Sequence, residues 1–510
     1  MTCYVTTCIA SLLFLCPASA VFAGPSVESS LSEPGWLSTA LEQISVERML
    51  ADIRTLSGPA YEGRLTGSPH DEASAAFIAN RFSELRLHRS PALPPENQTN
   101  PLPQREWKQT APALARTIVG PAIIEFVTPR QRHALESGSQ FLPVFDSPSA
   151  DIRGPVVFVG YGIVDPSSGI DDYADLDVRN SVVLFLRGKP ETYVKSVTHA
   201  DKERLAKQRG AVGYLTATGP ILSAYEQRRG VTGTPGAYYS STAIGDQLPG
   251  AWISTETAEW ILAQGTADPS TLRSIQETLN RPGRSRSMRT DATVQMKWTS
   301  QVETGTLFNV ISVIRGYAPN NDEAVLLGAH RDHFGRQTGL LFAGADDNAS
   351  GTAVLLEVAR VLALAPGSPK RSVLFLSFSG EEQGLLGSKL YVSQPIVPLT
   401  KTTAMINVDH AGAGNGRLTV GVTGLEKNTA QRIGEVTGLA DKLDVFGYFP
   451  GGDHVPFKEA GVPTVTVVSG GVHPHFHQPS DTVDTVDPHI LHSVARYVLA
   501  LTWHLANETP

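Results

Sequence analysis

After residue 16 the chain has no cysteine: its three, Cys3, Cys8 and Cys16, all fall within the first 23 residues. Thiolate metal sites, cysteine nucleophiles and disulfide staples are therefore excluded from the rest of the chain. Long apolar runs are equally scarce, because no stretch beyond the N-terminal one reaches the roughly 18 residues that a bilayer crossing needs. Charge is low and balanced, with 42 Lys and Arg against 50 Asp and Glu, a net charge of −8. That balance gives no general attraction to nucleic acid or anionic lipid. No Gly-x-Ser-x-Gly elbow and no phosphate loop ending in Gly-Lys-Ser/Thr occurs, so acyl-serine and nucleotide chemistry lack their usual supports.

What is present begins with a leader. Residues 1–23 carry no Asp, Glu, Lys or Arg, run apolar through "IASLLFLCP" and end in Ala18-Ser19-Ala20 and Val21-Phe22-Ala23. This reads as a secretory signal peptide, although only the α-amino group supplies its positive end. The expectation is a secreted or periplasmic protein without a membrane anchor after cleavage. The remaining composition, 41% hydrophobic and 18% charged in 510 residues, is that of a soluble protein of two to three domains at about 150 residues each.

Three regions follow the leader. Over residues 24–115, Val46, Met49, Leu50 and Ile53 fall at helical spacing, as do Ile78, Phe82 and Leu85, with the turn-rich "YEGRLTGSPHD" between them. The Pro-rich "PALPPENQTNPLP" then breaks regular structure. Residues 116–297 hold short β-branched runs such as "GPVVFVGYG" and "SVVLFL", one helical piece closed by Gly210, and a Gly/Pro/Tyr-rich loop at 219–250. Over residues 298–510 strands such as "AVLLGAH", "SVLFLSFS" and "TTAMINVDH" alternate with helical segments, the pattern of an α/β sheet covered on both faces.

In that last region five polar clusters stand at or just after the end of an apolar strand. They are His330-Arg331-Asp332-His333, Asp346-Asp347-Asn348, Glu381-Glu382, Asp409-His410, and the histidines 473, 475 and 477. Each alone is an ordinary cap or surface feature, but in an α/β sheet such positions converge on one edge. Imidazole and carboxylate without thiolate suit a zinc-like divalent ion, and a pair of such ions needs about five ligands and one free base.

The motifs "GAHRDH", "GADDNASGTAVLLEVAR", "SFSGEEQGLLGS", "MINVDHAG", "GGDHVPF" and "FHQPSDT" span residues 328–482. In type and order they resemble those of the co-catalytic di-zinc exopeptidases, which include secreted bacterial aminopeptidases and glutamate carboxypeptidase. The resemblance implies a three-layer αβα mixed-sheet zinc exopeptidase domain, made of residues 298–510 and the helices of 24–115, with 116–297 as an inserted β-rich protease-associated domain. It further implies two Zn2+ per chain, His330 and Asp409 on one, Glu382 and His477 on the other, and Asp347 bridging them. Asp346 is the rival for the bridge, and Asp347 is preferred because it directly precedes "NASG". Glu381 is left as general base, and Asp332 would orient the His330 ring.

Where some members carry Tyr before the last His ligand, this chain has Phe476, so another oxyanion donor is required. His473 and His475 are candidates for it or simply parts of a polar loop. His454 either lines the substrate pocket or is buried and hydrogen-bonded. The function implied is removal of N-terminal residues from peptides. Alternatives are a carboxypeptidase or single-zinc cyclase on the same site, or a non-catalytic binding protein.

Overall fold

A computed structural model describes residues 35–85, 107–223, 226–227, 231–240, 247–264, 271–317 and 322–507. The signal-peptide expectation for residues 1–23 and the Pro-rich break at 91–103 lie outside them. Among the described residues no helix is long and apolar enough to cross a membrane.

One mixed sheet of 14 strands runs through the molecule. Its α/β part has Ala324–His330 at the centre, parallel to Ser372–Phe378 on one side and Thr402–Asp409 on the other, with Thr464–Ser469 parallel to the latter. These strands are apolar at successive positions because both faces are covered. Val325, Leu327 and Ala329 point into one core, with the helices Val46–Leu56, Pro69–Glu84, Gly351–Ala363 and Pro488–Asn507, while Ala324 and Leu326 point into the other with Tyr391 and Phe457. This period-2 division between two buried faces is what a central strand of a three-layer arrangement requires.

Helix ends are set locally. Ser45 accepts from the Arg48 N–H at the start of Val46–Leu56, and Ser68 accepts from His70 and Asp71 N–H ahead of Pro69, a residue suited to the first helical turn. The helix Gly351–Ala363 begins directly after the turn Ala345–Ser350, so the Asp346-Asp347-Asn348 cluster is carried at its N-terminal end.

Two long antiparallel strands, Trp107–Val127 and Ser287–Ile314, connect the α/β part to the β-rich part. Along the second, Val294, Met296 and Trp298 belong to the β-rich core and Val310 to the α/β core. The β-rich part has its own parallel strands, Val182–Leu186 and Gly213–Ala217, and its own helices, including His199–Gln208.

Candidate metal centre

The polar clusters are positioned by strand ends. His330 is the last residue of Ala324–His330 and Asp409 the last of Thr402–Asp409; Glu381 and Glu382 follow Ser372–Phe378, and His477 lies in the loop after Thr464–Ser469. Parallel strands deliver all of these to one sheet edge, where backbone turns leave side chains free to converge.

They do converge. His330 Nε2 is 3.4 Å from Asp347 Oδ1 and 3.3 Å from Asp409 Oδ1, while His477 Nε2 is 3.1 Å from Asp347 Oδ2 and 3.4 Å from Glu382 Oε2. Asp347 thus reaches both histidines with its two oxygens. Asp346 turns the other way: its Oδ2 is 2.7 Å from His473 Nδ1, and its Oδ1 accepts the Gly412 N–H at 2.7 Å.

Do these residues fit an ion pair of the zinc kind? Donors about 2.0–2.1 Å from a tetrahedral ion stand roughly 3.3 Å apart, which is the spacing found between the facing His and carboxylate atoms. N–H···O hydrogen bonds centre nearer 2.9 Å. Three carboxylates packed against two imidazoles, with Asp347 and His330 buried and the others half-buried, are moreover a set that cationic compensation would stabilise. The donor set fits.

Asp332 meets the His330 ring through its backbone rather than its carboxylate. The His330 Nδ1 contact is to the Asp332 backbone carbonyl at 3.3 Å, and the nearest carboxylate oxygen is 3.7 Å away. The carboxylate instead accepts Thr66 Oγ1–H at 3.0 Å and the backbone N–H groups of Glu381 and Glu382 at 3.2 and 3.4 Å. One buried acid therefore steadies both the histidine and the turn that presents the two glutamates. Burial pushes the Glu381 carboxyl well above the usual range; His330 opposes this, while Glu382, Asp409 and Asp453 reinforce it.

His454 is buried, with Nε2 2.7 Å from the Phe449 carbonyl, and it does not line the cavity beside the site, although Gly451 and Gly452 do. His475 faces Ser480 Oγ at 2.9 Å. Phe476 stacks on His477 with ring centroids 3.7 Å apart.

Sequence reading gave no role to four residues that shape the centre. His333 Nδ1 is 2.8 Å from Glu382 Oε1. Asp481 accepts the N–H groups of Asp346 and Asp347 at 2.8 and 3.0 Å; burial and then the Asp346 charge push its carboxyl up to about 8. Asp453, beside the glutamates, is raised by burial to about 7. Arg64, fully buried, donates to the carbonyls of Leu56, Arg331, Ala343 and Gly344, joining the N-terminal helices to the loops that carry His330 and Asp347. Asp481, Asp453 and Arg64 stood inside the motifs "FHQPSDT", "GGDHVPF" and "EGRLTGSP", which were the signals available.

A cavity of about 770 Å³ opens on the centre. Glu381, Glu382, Phe476 and His477 line it from the α/β part, and Arg187, Tyr238 and Trp252 from the β-rich part. The Arg187 guanidinium lies 3.8 Å over the Trp252 ring.

Residues 309–502 match the model of peptidase family M28. That stretch, an M28-like domain covering well under half of the chain, holds the strand ends and loops that carry the converged side chains. A probable leucine aminopeptidase of Arthroderma otae is 31% identical over 207 residues, covering 38% of this chain and 57% of that protein. Aminopeptidase YwaD of Bacillus subtilis is 28% identical over 238 residues, 44% of this chain and 50% of it. The chain thus spans about half the length of these curated relatives. The M28 domain and its β-rich partner together share their fold with the aminopeptidase from Aneurinibacillus sp. strain AM-1, at TM-score 0.63 and 21% identity over 93% of this chain and 97% of that one. A peptidase M28 precursor from Shewanella amazonensis aligns at TM-score 0.64 and 18% identity over 93% and 96% of the two chains. The fold class is accordingly a mixed α/β sheet of the M28 aminopeptidase type.

Proposed function

We propose that this chain is an exported zinc metallo-aminopeptidase that hydrolyses N-terminal residues from peptides. The observation that carries the reading is the placement of Glu381 in the cavity wall beside His330, Asp347, Glu382, Asp409 and His477, whose facing atoms stand 3.1 to 3.4 Å apart. The names of the curated relatives point the same way. In this reading His330, Asp347, Glu382, Asp409 and His477 would hold two zinc ions, residues 116–297 are a protease-associated insert, and 1–23 direct export.

Bound zinc would lower the pKa of an attacking water towards about 7 and polarise the scissile carbonyl. Glu381, a carboxylate left out of the ligand set, takes the proton of that water and passes it to the leaving amine. Asp332 keeps Glu381 and Glu382 in their turn by accepting both backbone N–H groups, so the base and the ligand hold different positions although adjacent in sequence. The cavity walls shared by the two parts of the chain leave room for a short stretch of peptide beside the two glutamates.

A panel of aminoacyl p-nitroanilides, assayed with and without chelator, tests this directly. Hydrolysis that stops on chelation and returns with zinc is expected. Cleavage confined to C-terminal acidic substrates, or zinc uptake with no hydrolysis at all, would replace the reading with a carboxypeptidase or a binding protein.

A further inference from the structure

His330 and His477 are supported differently. The His330 ring is held by Asp332, two residues along its own strand end. His477 sits on an irregular loop in the left-handed region, φ 56°, and its support comes from a segment about 240 residues away in sequence. His477 Nδ1 is 2.7 Å from the Ala237 carbonyl, the Ala237 N–H donates back to the His477 carbonyl at 2.9 Å, and Gln478 Nε2 donates to the Pro235 carbonyl at 2.8 Å. Pro235, Gly236 and Ala237 are all buried.

The chemistry of this contact is specific. A carbonyl oxygen has only lone pairs to offer, so Nδ1 must carry the proton. In the neutral ring Nε2 is then the bare nitrogen, and Nε2 is the atom turned towards Asp347 and Glu382. Ring rotation is further limited by Phe476 stacked on one side and Phe334 edge-on at 4.7 Å. A Cβ at 236 would be tight against Trp252 Cζ3, at 3.3 Å, and in ordinary contact with Gln478 Nε2 at 3.4 Å and His477 Cβ at 3.5 Å, so a branched side chain there has no room without shifting the strap or His477.

We infer that residues 235–237 of the β-rich part are positioning residues for His477, so that this part completes the support of the metal centre rather than only roofing the cavity. The inference rests on the reading of His477 as a zinc ligand. It follows that a perturbation of this strap weakens one ion and spares the other, which His330 and Asp409 hold without help from the β-rich part.

The test uses the full chain and zinc affinity, read by competition with a chromophoric chelator, together with the visible spectrum of the cobalt-substituted protein. Gly236→Val is expected to weaken one of two ions by about 10- to 100-fold and alter the cobalt spectrum, and Gly236→Ala to do so by a few-fold at most. Leu279→Ala, in the core of the same part, should lower the melting temperature and leave both affinities alone. If Gly236→Val does not fold, Gln478→Ala gives the same readout, with several-fold weakening of one ion expected. Unchanged affinities in these strap variants, or equal weakening in Leu279→Ala, would overturn the inference while leaving the zinc reading intact. A wild-type protein that takes up no zinc, or a His477→Ala variant that keeps two ions at full affinity, instead defeats the ligand reading and the inference with it.

Discussion

Glu381 and Glu382 are neighbours in sequence with opposite duties in the proposed chemistry, and that contrast is measurable. Glu381→Gln keeps the shape of the turn and removes the base; kcat is expected to fall about 10²- to 10⁴-fold with zinc content unchanged, as read by metal analysis of the purified variant. Glu382→Gln should instead release one ion. Undiminished turnover in Glu381→Gln with both ions bound is the outcome that sinks the assignment. Asp332→Asn retains a hydrogen-bonding side chain but turns one of its two accepting oxygens into a donor, facing the N–H groups of Glu381 and Glu382. Its expected signature is a 10- to 100-fold loss of zinc affinity or activity. Both roles were partly legible in the sequence: adjacent acids after a buried strand have no mutual attraction, and Asp332 lies two residues past His330. The carboxylate's grip on the glutamate turn was not legible, because nothing in "HRDH" indicates which neighbouring N–H groups the fold will bring to it.

Among elements, the N-terminal helices are bound to the centre through buried charge. Arg331 donates to Asp71 at 2.8 Å and to Ser74, Ser377 and Phe378, with Arg331 and Asp71 both fully buried. Removing one partner leaves an uncompensated charge, so Arg331→Met should cost about 3–5 kcal/mol in urea unfolding, and Arg331→Met with Asp71→Leu should recover much of it. Additive losses in the double variant would contradict the pairing. The helix His199–Gln208 supplies a pH effect of the opposite origin. Burial pushes the Glu203 carboxyl up to about 7, against the Leu248 N–H that it accepts at 2.7 Å. Its folded-state pKa lies above the unfolded value of about 4.5, so the folded state holds the extra proton between these values. Stability is therefore fully present below pH ~4.5 and is lost as pH rises through ~7. Glu203→Gln should flatten that part of the melting-temperature profile, a contribution on the order of 2 kcal/mol after solvent screening. An unchanged profile would assign the pH dependence elsewhere. Helix positions such as Val46–Leu56 and Pro69–Glu84 were readable from spacing, while their caps at Ser45 and Ser68 were seen only in the structure. The burial of Arg64 and Arg331 was not, since arginine in a turn-rich stretch is ordinarily solvated.

For the whole molecule, an α/β part and a β-rich part, each with its own apolar packing, share one sheet and one cavity. In the proposed reading, zinc binds only the folded chain, so each ion present at about 100 times its Kd adds roughly 2.7 kcal/mol of stability. Chelation is then expected to lower the melting temperature by several degrees, reversibly on zinc addition, in a calorimetric scan; an identical melting temperature with and without chelator would exclude ions of that affinity. What the amino-acid sequence determined by itself is the α/β class and the sheet edge that gathers five polar clusters, within which the family resemblance singled out His330, Asp347, Glu382, Asp409 and His477. Those follow from alternation and strand-end placement, which are local properties of backbone geometry. Only the tertiary structure decided that Asp346 turns to His473 and the Gly412 N–H, that Asp481 holds the Asp346-Asp347 turn, and that Ala237 grips His477. Such contacts depend on the direction of individual lone pairs and N–H bonds across hundreds of residues, and that direction exists only once the two parts have packed.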